Sequence, residues 1–148
     1  MPPLPPDPPP AAAEVTQPAP AFDLARHRWR RRVFVLFAPS AGDRSLAAED
    51  AALRAQAAGA AERDLLVVRV LEDGTSTADG RPLAPADAAA LRRRLGAPWG
   101  RFAAVLVGKD GHVALRSAEP VAATGELFRA IDAMPMRRAE ARARRGGS

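Results

Sequence analysis

The chain has 148 residues, 22 basic against 17 acidic side chains, and no cysteine. That length fits one domain of ordinary size with a modest core, and without sulfur nucleophiles thiol-disulfide oxidoreductase and cysteine peroxidase activities are excluded, as are thiolate metal sites. The net charge of +5 invites a nucleic-acid reading, yet Lys109 is the only lysine, and a chain so rich in Ala, Arg, Pro and Gly reflects a biased genome more simply than a polyanion partner.

In chain order, residues 1–21 hold nine of the fifteen prolines and almost no large apolar side chain, so a disordered proline-rich tail is expected there. No apolar run approaches the roughly 18 residues of a membrane span, and the first residues lack a basic start and an apolar core. The expected compartment is therefore the cytoplasm as written, or the periplasm or exterior if a signal peptide lies upstream. The domain is expected over 22–136. Val33 to Ala38 is a continuous apolar run of strand length, the pattern of a strand covered on both faces. Asp43 or Ser45 can then cap a helix whose buried stripe is Leu46, Leu53, Ala57 and Ala60. LLVVRVL, residues 65–71, reads as a second buried strand, reached from the first by a right-handed parallel crossover.

EDGTSTADGRP reads as a surface loop. Pro85 and Asp87 suit the first turn of another helix, Leu91 and Leu95 its core face, and Gly96 its stop. Phe102 to Val107 is a third strand, and Lys109-Asp110-Gly111 has hairpin-turn chemistry. Val113 and Leu115 alternate with Ala114 and Arg116, as on an edge strand. A last helix from about Thr124 places Leu127, Phe128, Ile131 and Met134 on one face, with Pro135 as its break. Residues 137–148 are expected as a frayed, arginine-rich tail. The resulting fold is α/β and thioredoxin-like: a four-stranded mixed sheet in the order second, first, third, fourth, with about three flanking helices.

RVFVLFAPSAGD, ERDLLVV, VLVGKDGHVALR and IDAMPMRRAE together resemble a bacterial domain-of-unknown-function family related to the P-DUDES domains. Those domains also occur in extracellular sushi-repeat proteins and are described as peroxiredoxin-like. The resemblance spans roughly Leu24 to Glu140, and IDAMPMRR is its most specific piece. It implies a thioredoxin-like fold and no settled activity. In thioredoxins the loop after the first strand carries the reactive thiols; here that stretch is APSAGD, and a serine hydroxyl has no disulfide chemistry. Ala114 stands where many members are expected to have lysine.

Four candidate binding regions follow. In the first-strand loop, Pro39, Ser40, Gly42 and Asp43 stand at a strand end, the usual place for chemistry in α/β domains. Asp43 reads more simply as a helix cap, although the amides at Gly42 to Arg44 would suit a small anion. GKDG lacks the Walker spacing, so Lys109 and Asp110 read as a hairpin turn with a cation retained against a drift toward arginine. Asp132, Met136, Arg137 and Arg138 form the third group. Asp132 paired with an arginine would pin the chain, while methionine beside arginine suits a partner surface. The fourth, RHRWRRR over 26–32, has a nucleic-acid look but leads straight into a core strand. His27 and His112 stand in no ligand spacing, so neither metal nor cofactor is expected.

The leading expectation is a non-redox binding or adaptor module for a protein or small molecule. The second is an enzyme of unassigned class using the cleft at the end of the first strand, with Ser40, Asp43 and Lys109 as candidate polar groups. The third is a basic nucleic-acid binder.

Overall fold

A computed structural model describes residues 22–146; the expected proline-rich tail, residues 1–21, lies outside them. The chain opens with a short helix α1 (Leu24–His27) and continues through β1 (Arg32–Ser40), α2 (Arg44–Ala55), α3 (Ala57–Glu62), β2 (Leu65–Asp73), β3 (Thr77–Ala78) and β4 (Arg81–Pro82). It then forms α4 (Pro85–Leu95), β5 (Ala103–Val107), β6 (Val113–Ser117), α5 (Glu126–Asp132) and α6 (Pro135–Gly146). No helix among the described residues is long and apolar enough to cross a membrane.

The sheet is open and mixed, in the order β4-β3-β2-β1-β5-β6. It has six strands rather than the expected four. The four foreseen strands are neighbours within it, and the two-residue β3 and β4 extend it on the β2 side. β1 runs parallel to β2, Val33 opposite Leu66, and antiparallel to β5, Val33 opposite Val107.

Every residue from Val33 to Ala38 is buried, because successive side chains point to opposite faces and both faces are covered. Val33, Val35 and Phe37 pack with Leu66, Val68 and Val70 beneath Leu91 and Leu95 of α4. Phe34, Leu36 and Ala38 pack beneath Leu46 and Leu53 of α2 and Leu127 and Ile131 of α5. Glu49 is fully buried on that second face, where Oε1 accepts from the amides of Ala122 (2.8 Å) and Ala123 (2.9 Å). A carboxylate there satisfies two amides of the loop entering α5, of which that of buried Ala122 would otherwise stand unpaired away from water.

Residues 137–146 are helical rather than a frayed tail. Pro135, expected to interrupt a helix, instead starts α6, since a proline at the first helical position loses no hydrogen bond and already has the required φ. Helix α6 therefore extends the folded part past the expected boundary at 136.

Candidate functional site

The candidate residues divide between the two ends of β1. At its C-terminal end, Asp43 accepts from the amide of Leu46 at 3.1 Å and caps α2, while the Ser40 carbonyl accepts from the Asp43 amide at 3.2 Å. Pro39 and Ser40 finish the strand and Gly42 is exposed in the turn. Lys109 and Asp110 follow β5, which runs antiparallel to β1, and so stand beside Arg32 at the other end. Eight residues separate Arg32 from Ser40, about 26 Å at roughly 3.3 Å per residue. Ser40 and Asp43 thus share no cleft with Lys109, and the three polar groups expected to work together stand at opposite ends of the strand.

At the N-terminal end of β1 the sequence has packed charge. Arg32 is fully buried; its Nη1 and Nη2 each donate to the Glu140 carboxylate at 3.2 Å, and Nη1 also donates to the Arg63 carbonyl at 2.8 Å. The Lys109 ammonium, 7% exposed, donates to Glu140 Oε2 at 2.7 Å and Asp64 Oδ2 at 2.8 Å. Burial opposes the charged form of Asp64 and Glu140. The hydrogen bonds from Lys109, with Arg32 adding to Glu140, outweigh it and hold both carboxyls below their ordinary values.

Beside this cluster, Arg137 donates from Nη2 to Glu62 at 3.0 Å and from Nε to Asp132 at 3.4 Å. Asp132 accepts two further bonds from Arg63, each 2.9 Å. The Arg63 bonds, followed by those from Arg137, lower the Asp132 carboxyl, and the Arg137 bond does the same for Glu62. Arg137 and Glu140 lie three residues apart on α6, so one face of the helix carries both clasps. Asp132 and Arg137 thereby pin the chain. Arg138 instead is exposed.

Above the paired charges lies a groove of about 380 Å3, bordered by Trp29, Val113, Met134, Pro135 and Met136, with buried Arg32 and Lys109 at its base. Trp29 takes a left-handed φ of 68°, fixed by its amide donating to the Lys109 carbonyl at 2.6 Å; its indole is 58% exposed. The wall opposite α6 is the β5–β6 turn. There Asp110 accepts from the His112 amide at 3.0 Å, and that bond lowers its carboxyl. Lys109, Asp110 and Met136 from the sequence reading meet here. Arg32 entered that reading only within RHRWRRR, as a nucleic-acid candidate, and Asp64 and Glu140 did not enter it as candidates. Only Glu140 leaves a local trace, as the one acid among the arginines of RRAEARARR.

The run RHRWRRR does not form one cationic face: Arg32 is sealed inside, Arg31 donates to the Leu65 carbonyl at 3.2 Å, and Arg28 lies over the Trp29 ring.

Residues 23–140 match the model of a domain of unknown function, DUF4174. The chain belongs to this family. No solved structure matches the DUF4174 chain.

Proposed function

We propose that this DUF4174 chain is a non-redox binding module that holds an acidic, apolar segment of a partner protein in the groove beside Trp29. One observation carries the reading. Among the described residues, three of the four exposed large apolar side chains, Trp29, Val113 and Met136, border that one groove. Scattered exposed apolar residues need no explanation, but a contiguous set marks a contact surface. An indole beside flexible methionines suits apolar side chains of varied shape. The left-handed backbone at Trp29 adds support, since such conformations in bulky residues are retained where they serve a site.

Charge favours an acidic partner. With Asp7 and Glu14 outside the described residues, the domain carries 22 basic against 15 acidic side chains; exposed Arg28, Arg30 and Arg138 are near the groove in sequence, and a field of this sign speeds encounter with an acidic segment. The same proposal takes the domain as thioredoxin-like and related to the P-DUDES domains. With the two-residue β3 and β4 and the helices α1, α3 and α6 set aside, its remaining order, βαβ then α, ββ, α, supports this, with APSAGD where thioredoxins hold thiols.

Selection of a random dodecapeptide phage library on the purified chain tests the reading. Enriched sequences should combine acidic with large apolar residues, and Trp29→Ala with Met136→Ala should abolish their binding while Asp43→Ala preserves it. Peptides that bind the double variant as well as the parent, or no enrichment at all, would overturn it.

A further inference from the structure

The fourth exposed apolar side chain, Trp99, belongs to a different place. At the C-terminal end of β2, between the following turn and α4, lies a cavity of about 570 Å3. Its walls include Val70, Leu83, Pro85 and Ala88, and its charged groups are Glu72 and Arg92. Arg92 is 6% exposed and its guanidinium lies between two rings, 4.1 Å from the Trp99 centroid and 5.2 Å from that of Phe37. Its Nη1 donates to the Pro98 carbonyl at 2.8 Å. Its Nη2 is buried with no hydrogen-bond partner among the described residues.

The nearest carboxylate compensates this charge only in part. Glu72 Oε2 stands 4.0 Å from Arg92 Nη1 and already accepts from the Gly100 amide at 2.7 Å. A buried guanidinium with an unused donor is costly, and such groups are normally paired. Burial also lowers the Arg92 pKa, with Glu72 opposing that only in part. The Trp99 indole over the guanidinium is 70% exposed, so swinging it aside gives up little buried surface.

We propose that this cavity is a binding site for a small organic carboxylate: one carboxylate oxygen accepts from Arg92 Nη2 once the Trp99 indole swings away, and the apolar body lies against Leu83, Pro85 and Ala88. A planar guanidinium suits a carboxylate, and a mainly apolar pocket with few polar groups is the usual form of a small-molecule site. The site stands on geometry separate from the groove at Trp29, and either can fail without the other.

The test uses the full chain with Trp29→Phe, leaving Trp99 as the only indole. Phenylacetate and hexanoate are titrated against Trp99 fluorescence, with phenylacetamide and hexanamide as uncharged matches. The acids should give a saturable change and the amides should bind about ten- to a hundredfold more weakly, the worth of a charge-assisted hydrogen bond. Arg92→Gln should weaken the acids by a similar factor. Equal binding of acids and amides, or no saturable change with the acids on a chain of parental melting behaviour, overturns the proposal without needing the variant to fold.

Discussion

Replacing Glu140 with Ala removes the carboxylate that joins α6 to β1. Arg32 then keeps one hydrogen bond, to the Arg63 carbonyl, while its guanidinium, 1% exposed, loses two; Lys109 keeps only Asp64. Removing one partner of a buried ion pair typically costs 3–5 kcal/mol because the other charge stays buried and unpaired. Glu140 is 22% exposed, which places the expected loss at the lower end, about 3 kcal/mol. At roughly 4 °C per kcal/mol for a domain of this size, Tm should fall by about 12 °C. Urea denaturation followed by circular dichroism at neutral pH reads the change directly. Glu140→Gln should recover only a small part of it, because an amide fills the space without the charge. A loss of about 0.5 kcal/mol or less, the size of an ordinary surface substitution, would refute the claim that α6 is clasped to the sheet by charge.

The same cluster sets a pH dependence. Asp64 and Glu140 have folded pKa values below their ordinary values, so their contribution is complete above the ordinary carboxylate range and is lost as pH falls through the depressed folded values. Stability of the parent should drop on acidification below about pH 5, and a Glu140→Gln, Asp64→Asn double variant should show a shallower acid slope in urea titrations. Gly59 reverses the usual rule for helices: Ala there should gain up to about 1 kcal/mol by propensity, but a Cβ would lie 2.8 Å from Phe128 Cε2. Gly59→Ala should therefore lower Tm, and a raised Tm would contradict the packing of α3 against α5. Asp43→Ala should cost about 1 kcal/mol as a lost cap, seen in the same urea titrations.

How much was legible follows from how each element is held. β1 could be read because burial on both faces leaves a continuous apolar run, β2 because its apolar run is broken only by Arg69, and α4 because proline, aspartate and glycine stand where the backbone needs them. β3 and β4 read as a loop because each is only two residues long, although Asp79-Gly80 between them, both at positive φ, is a two-residue hairpin turn. Thr77, Ala78, Arg81 and Pro82 have no strand pattern; their pairing depends on the Asp79 amide reaching the Val67 carbonyl at 2.8 Å, the Leu83 amide reaching the Ser76 carbonyl at 2.8 Å, and buried Ser76 accepting from the Leu71 amide at 3.0 Å. Helix α6 was hidden by Pro135, which is a break or a start depending on its neighbours.

For the site the division is similar. Met136 and Lys109 were singled out for their residue types, and the chain brings them together. The partners that bury Lys109 lie 45 and 31 residues away, at Asp64 and Glu140, and no spacing announces them. The strand-end rule drew attention to Ser40 and Asp43, whereas the apolar groove formed at the opposite end of the strand because the antiparallel β5 turns there.

The most direct measurement is a heteronuclear NMR titration of the isotope-labelled chain with the most enriched dodecapeptide. Amide shifts gathered at Trp29, at 108–114 and at 134–136 would establish the groove as the working surface. Shifts gathered at 39–43, with those three regions unmoved, would contradict it.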